Sequence, residues 1–306
     1  MEFLILISGL AMLIFGAEGI IRGSVSLAKK LQISLFAIGA VIVSAGTSLP
    51  ELANCIRAVV TKHPDIAVGA IVGSNIANIA LIMGTTTILL PILLITKNQL
   101  TQGIINILIV LGFIIFSWLS LSFNMIFGII SLSLLVAIMS YQVKVGSIDF
   151  SEVEVQKTYP ILITGTFIAG GILLLIFGAN IFIQSAIKIA QDFEIPESII
   201  GVSLVAFGTS LPELVVGVLS AFRKKVDFAL GNVLGSNIYN VLGILGVSSF
   251  FGNFSVPILI INFDLYVLLG ITILIFLFMF FSKKLSRVFG IISLLVYIGY
   301  ITSLYI

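Results

Sequence analysis

The sequence predicts an all-α polytopic membrane protein whose ten transmembrane helices form two five-helix repeats of inverted topology. Three observations carry this expectation. First, 59% of the 306 residues are hydrophobic, only 9% are charged, and the mean hydropathy is +1.28; no soluble globule hides that much apolar surface. Second, polar clusters divide the chain into ten apolar runs, each near the ~20 residues needed to cross a bilayer. Third, the chain repeats itself without a gap: Thr47 maps to Thr209, Glu51 to Glu213 and Ser74 to Ser236 (209 − 47 = 213 − 51 = 236 − 74 = 162). The same offset carries Leu13-Ile14-Phe15-Gly16-Ala17 onto Leu175-Ile176-Phe177-Gly178-Ala179 and Gly73-Ser74-Asn75 onto Gly235-Ser236-Asn237. Chance matches do not hold register this long.

The first span, 3–21, follows Met1-Glu2-Phe3 with no basic stretch and no small-residue cleavage site, so it reads as a helix rather than a removed leader. The second, 34–60, contains Pro50, which has no amide hydrogen for the carbonyl of Gly46 and whose ring crowds that carbonyl; a break at Gly46–Pro50 is expected. The third, 66–95, carries Ser74 and Asn78, and the spans 102–119 and 123–141 close the first repeat, 1–141. A linker over 142–158, with Lys144, Asp149, Glu152, Glu154 and Lys157, is the longest polar stretch and is too short for a regulatory domain. The second repeat, 159–306, contains spans at 159–186, 197–222, 226–250, 259–281 and 286–305, with Pro212 in the place of Pro50. Long apolar runs without period-two alternation exclude a β-barrel.

Orientation follows from the basic residues, which favour the cytoplasmic side of a membrane. Twelve of the 15 Lys and Arg fall in odd-numbered loops, and only Arg57, Lys62 and Lys188 fall in even-numbered ones. Both termini are therefore expected outside and the 142–158 linker inside. Each half holds an odd number of spans, so the second half enters the membrane from the opposite face. Inverted repeats of this kind place two similar ion-binding elements head to head near the midplane, and exchanging the conformations of the halves turns an outward-open site into an inward-open one. The net charge of +2 comes from loops lying against anionic head groups of the lipid bilayer and implies no nucleic-acid partner. With one cysteine, Cys55, and one histidine, His63, an internal disulfide and a Cys/His metal cluster are both excluded by count. Neither a cofactor nor a protein partner is implied. With no sorting signal and no regulatory loop, the plasma membrane of a prokaryote is the expected location.

The chemistry concentrates in Gly-Thr-Ser-Leu-Pro-Glu, present at Gly46–Glu51 and again at Gly208–Glu213. A carboxylate inside a span costs a few kcal/mol on insertion scales, and a structural kink has no need of one. Thr47 and Ser48, like Thr209 and Ser210, place hydroxyls before the break, and Glu51 and Glu213 open the next half-helix. Hydroxyls, freed carbonyls and carboxylates make an oxygen-only cage suited to hard cations such as Na⁺ or Ca²⁺. Ser74 and Asn78, and again Ser236 and Asn240, are four residues apart and share a helix face. Gly69 and Gly73, matched by Gly231 and Gly235, are expected to let helices approach closely and bring those faces to the glutamates. Asn75 and Asn237 are suited to orienting ligands. Glu18 is expected to pair with Arg22 one turn on, Arg57 and Asp264 to snorkel or cap near outer span ends, and Cys55 to serve small-residue packing. Together these features describe an ion-coupled secondary transporter.

The two phrases, followed by Gly-Ser-Asn-Ile-Ala-Asn (Gly73–Asn78) and Gly-Ser-Asn-Ile-Tyr-Asn (Gly235–Asn240), resemble the two α-repeats of the sodium/calcium exchanger family within the cation/calcium antiporters. The resemblance spans nearly the whole chain, with the motifs at 39–79 and 201–241. It implies one Ca²⁺ site and adjacent Na⁺ sites built by Glu51, Glu213, Thr47, Ser48, Thr209, Ser210, Ser74, Ser236, Asn78 and Asn240. It further implies that the carbonyls of Ser44 and Ala206 serve Na⁺ and that the first and sixth spans slide as a gate. Potassium-dependent members carry Asp where this chain has Asn240, so no potassium requirement is expected. The family's large cytoplasmic regulatory domain has no counterpart in these 306 residues, so regulation by Ca²⁺ binding outside the membrane is not expected. Two ionised glutamates neutralise one Ca²⁺ but leave one positive charge beside the three Na⁺ that the family exchanges for it, so the exchange is expected to be electrogenic, at about 2.3 kcal/mol per 100 mV.

Three other readings compete. H⁺/Ca²⁺ antiport could use protonation of the same glutamates, although protons need no multi-oxygen cage. A passive cation channel would use the glutamates as a selectivity ring, for which inverted repeats supply no symmetry along the membrane normal. An intramembrane protease lacks both a histidine near a buried serine and the His-Glu-x-x-His pattern.

Overall fold

The computed structural model describes residues 2–146, 158–193, 208 and 210–304. The described residues are helical apart from turns, short extended links and two isolated backbone bridges. In chain order the helices are α1 (Glu2–Leu31), α2 (Leu35–Thr47), α3 (Leu49–Val60), α4 (Pro64–Leu89), α5 (Lys97–Trp118), α6 (Met125–Val145), α7 (Ile161–Asp192), α8 (Leu211–Phe222), α9 (Val226–Ser248), α10 (Ile260–Ser282) and α11 (Arg287–Ser303). Seven of them are long and apolar enough to cross a membrane. An eighth span results if α2 and α3, bent by 43° at their junction, count as one, and α8 and α11 are shorter apolar helices. The protein is a multi-pass, all-α membrane protein.

Several boundaries depart from the sequence expectation, each for a local reason. The first helix continues to Leu31, past residue 21, because Arg22 is paired with Glu18 inside the helix and Lys29 and Lys30 sit in its last turn, where cations suit the helix dipole. The third span ends at Leu89 rather than 95, since Leu90, ahead of Pro91, is forced to extended geometry (φ −142°, ψ 109°). Helices α6 and α7 run beyond 141 and 186, to Val145 and Asp192. Of the expected linker, 147–157 lie outside the described residues, as do 197–207 of the seventh expected span.

Helices α1 and α7 lie along each other at glycine-lined contacts: a methyl group at Gly16 would sit 2.8 Å from the carbonyl oxygen of Gly171. Much of their remaining surface is exposed, whereas α4 is mostly and α9 almost wholly buried. These two helices carry the Ser/Asn faces, so the core sits around the predicted site. Antiparallel backbone bridges join Ile92 to Leu285 and Phe123 to Phe254. The offset of 162 residues turns one bridge into the other, since 92 and 254, and likewise 123 and 285, are so related.

Candidate cation site

The site begins at the broken helix. Ser48 leaves helical geometry (φ −84°, ψ 7°) while its N–H still donates to the Ser44 carbonyl at 3.1 Å, and α3 starts afresh with Pro50 in its first turn, where a missing amide hydrogen costs nothing. Ser210 does the same ahead of Pro212 (φ −89°, ψ 5°). Each break puts a glutamate at the start of a half-helix, the positive end of its dipole. Glu51 is 4% exposed and Glu213 1%, and each carboxylate lies within reach of the other's charge. Neither oxygen of Glu51 has a hydrogen-bond donor; Glu213 Oε2 has none either, while Glu213 also faces the Thr47 hydroxyl.

The asparagines supply the second half of the cage. Asn78 Nδ2 donates to Asn237 Oδ1 (2.9 Å), and Asn240 Nδ2 donates to Asn75 Oδ1 (2.8 Å) and to Ser74 Oγ (3.3 Å). Asn75 and Asn237 each donate to the other's backbone carbonyl, at 3.3 and 3.2 Å. The donors are thus consumed within the network, leaving Asn78 Oδ1 and Asn240 Oδ1 buried without partners, as are the hydroxyls of Ser48 and Ser236. Buried polar atoms are normally paired, and an orphaned one costs about 1–3 kcal/mol. A cluster of orphans that are nearly all acceptors has the chemistry to receive a cation. Asn75 and Asn237, expected to orient ligands, accept hydrogen bonds from Asn240 and Asn78 through their side-chain oxygens.

Of the residues singled out by sequence, Ser74 and Ser210 meet through their hydroxyls (3.4 Å) and Ser44 borders the site through its carbonyl and Thr47. Thr209 and Ala206 lie outside the described residues. Asn232 was not anticipated: it is buried, and its Oδ1 sits 3.3 Å from the Thr47 hydroxyl. Its repeat position is Ala70, so it belongs to no matched pair. Turns of π-helix at Asn78–Met83 and Tyr239–Ile244 also had no sequence signal; such turns widen the helix where ligands are presented.

The glycine expectation holds in one half and fails in the other. In α9, Gly231 and Gly235 press on the carbonyls of Phe36 and Ala40 in α2, leaving no space for a side chain. In α4, by contrast, a methyl group added at Gly73 would meet nothing outside its own stretch of helix within 4 Å, and one at Gly69 only a methyl of Ile260 at 3.7 Å. Both line a cavity of about 630 Å³ that runs from Arg57, Thr61 and His63 past Tyr297 and Tyr300 to Ser74 and Glu51. A larger cavity of about 840 Å³ between α5 and α6 is lined by apolar side chains and a few serines and Asn124, and reaches no carboxylate.

Among the other polar residues, Asp264 lies inside α10, where its side chain makes no capping bond. Glu18 pairs with Arg22 as expected and additionally with Arg223. Asp264 accepts a hydrogen bond from Tyr300 (2.9 Å), and Cys55 is buried against Ser248.

Residues 1–144 and 163–306 match the family described as sodium/calcium exchanger protein. An uncharacterized membrane protein of Methanocaldococcus jannaschii is 36% identical, over 97% of this chain and 95% of its own. The sodium/calcium exchanger MaX1 of Methanosarcina acetivorans is 30% identical, over 99% and 98%. Among solved structures, the sodium-calcium exchanger NCX_Mj, soaked without Na⁺ and Ca²⁺, superimposes with a TM-score of 0.87 at 33% identity, covering 99% of this chain and 98% of that one.

Proposed function

We infer the activity of this chain from the family to which it belongs, the sodium/calcium exchangers: it is a secondary active antiporter that exchanges Na⁺ for Ca²⁺ by alternating access. It is a multi-pass membrane transporter of prokaryotic type, not an enzyme. The observation that carries the reading is the set of buried, unpartnered oxygens at Ser48, Glu51, Asn78, Glu213, Ser236 and Asn240. Hard cations stripped of water need such oxygens, and two carboxylates match the charge of one Ca²⁺. The ligand set extends to Thr47, Ser74, Ser210 and Thr209, and to the carbonyls of Ser44 and Ala206 for Na⁺. Either Ca²⁺ or Na⁺ occupies the glutamates at one time, and that exclusion couples the two fluxes.

The architecture is ten spans in two inverted five-helix repeats, 1–141 and 159–306, with α2 and α3 as one broken span and 197–222 as its counterpart. Support comes from the 162-residue offset, which exchanges the two backbone bridges and also the Asn78–Asn237 and Asn240–Asn75 hydrogen bonds. The basic residues put both termini outside and the 142–158 linker in the cytoplasm. The cavity reaching Glu51 from Arg57 and His63 then opens outward. Asn240 offers a carbonyl oxygen in place of a carboxylate, so K⁺ is not required, and exchange of three Na⁺ for one Ca²⁺ is electrogenic.

The test is radioactive Ca²⁺ uptake into proteoliposomes loaded with Na⁺, K⁺ or choline, with and without a pH gradient. Uptake driven by internal Na⁺ alone is expected. Uptake driven by internal acid without Na⁺ would move the assignment to proton coupling.

A further inference from the structure

The two faces of the molecule are closed differently, and one ion pair marks the difference. On the face of Arg22 and Arg223, α1 packs against α8: Leu13, Ala17, Ile20 and Ile21 share a buried cluster with Leu211 and Val216. Beside this contact Glu18 takes Arg22 Nε at 2.6 Å and Arg223 Nε at 2.8 Å. Its side chain is 17% exposed, against about half for each arginine. Arg22 belongs to the same helix as Glu18, so that bond joins nothing. Arg223 directly follows α8, so its bond crosses the contact.

The 162-residue offset assigns α7 and α3 to the equivalent contact on the other face. Among the described residues these two helices have no comparable packing, and the cavity reaching Glu51 lies beside α3. The equivalents of Glu18, Arg22 and Arg223 are Asn180, Gln184 and Thr61, none of them charged. Asn180 accepts from Gln184 within α7 (3.0 Å), and the Thr61 hydroxyl donates to the Arg57 carbonyl of its own helix end (2.9 Å). If the halves were identical, a carrier that alternates by exchanging their conformations would weight its two states equally. Only residues that break the repeat bias it.

We propose that the Glu18–Arg223 ion pair is a positioning pair for transport: it holds the α1–α8 contact shut on the cytoplasmic face and, lacking a charged counterpart on the outer face, weights the carrier toward its outward-open state. This rests on the alternating-access reading above. Opening the inner face separates Glu18 from Arg223 and leaves a partly buried carboxylate with one partner instead of two, whereas the equivalent positions on the outer face, Asn180 and Thr61, have no charges to pair in return. A ligand's apparent affinity from one side falls with the fraction of carriers open to that side, so the bias is readable as a difference in half-saturation.

The experiment measures half-saturating Ca²⁺ from each side of unidirectionally oriented proteoliposomes at zero voltage, for the full chain and variants. Glu18→Gln and Arg223→Gln are each expected to shift the outer-to-inner ratio by about three- to tenfold in favour of the inner side. The double variant should go no further than either single one, and Arg223→Lys should restore the ratio. Arg22→Gln, which removes only the bond within α1, should leave it within about twofold. The proposal is overturned if Glu18→Gln leaves the ratio unchanged, if both sides weaken equally with a lowered melting temperature, or if Arg22→Gln moves the ratio as far as Arg223→Gln. Should Glu18→Gln not fold, the Arg223 pair of variants decides alone. A wild type without Na⁺-driven uptake would instead refute the exchanger reading itself.

Discussion

Helices α4 and α9 carry one phrase, Gly-x-x-x-Gly-Ser-Asn-Ile-x-Asn, and use it in two ways. In α9 the glycines are jammed against the α2 backbone and the helix is almost wholly buried; in α4 the same glycines face open space on the wall of the cavity that reaches Glu51. The asparagines of the phrase differ little, since Asn78 and Asn240 make equivalent bonds to the opposite helix, although only Ser74, and not Ser236, has hydroxyl partners. The difference teaches that the asparagine face is fixed while the glycine face is permissive. One sequence can line a passage or seal it, and a transporter needs each behaviour in turn.

The comparison can be broken most severely at the ligands proposed for both halves. Glu51→Gln and Glu213→Gln should each lower Na⁺-driven Ca²⁺ uptake roughly a hundredfold or more, since each removes half the negative charge of the cage; near-normal uptake in either variant would remove that glutamate from the site. Next come the glycines. Gly235→Ala should cost about 1–3 kcal/mol through overpacking against Ala40 and lower the melting temperature. Gly73→Ala should leave the melting temperature unchanged and yet slow turnover about tenfold, because its space is needed only when the passage closes. Equal thermal effects of the two alanines would defeat the distinction.

A smaller effect tests the part that is alike. Asn78→Ala and Asn240→Ala each delete one free oxygen and one network donor, and each should raise half-saturating Ca²⁺ by a similar factor, about tenfold; a large inequality would show that the two carbonyls are not equivalent ligands. The mildest perturbation is acid. Cation ligands must be deprotonated, so protons compete with Ca²⁺ for Glu51 and Glu213, and uptake should fall severalfold between about pH 7.5 and pH 5.5. A flat profile would mean that the glutamates stay unprotonated throughout.

Much of this was legible in the sequence because membranes impose coarse rules. Apolar runs located the helices, Pro50 located the break, and the repeat separated Glu51 and Glu213 from incidental charges. What escaped was set by tertiary context. Arg22 looked like a loop residue, but a paired arginine at a membrane face can extend a helix, so α1 was read too short. Gly69 and Gly73 looked like packing glycines because their pattern matches Gly231 and Gly235, and no local signal says which half is open. Asn232 breaks the repeat, and the π-helical turns at Asn78 and Tyr239 leave no mark in hydropathy. The bond from Arg223 to Glu18 joins residues too far apart in sequence for any spacing rule.

The two backbone bridges also bear on how the chain is made. Ile92 and Leu285 exchange N–H···O=C bonds at 3.0 and 2.9 Å, Ile95 donates to Lys283 at 2.9 Å, and Phe123 and Phe254 exchange bonds at 2.7 and 3.2 Å. A ribosome delivers the amino-terminal half first, so Ile92, Ile95 and Phe123 must wait, their amides unmatched, until partners from the far end of the message arrive. The segment up to Phe123 is therefore not a finished folding unit on the translocon; its backbone pairing is completed only when Phe254, Lys283 and Leu285 have been synthesised.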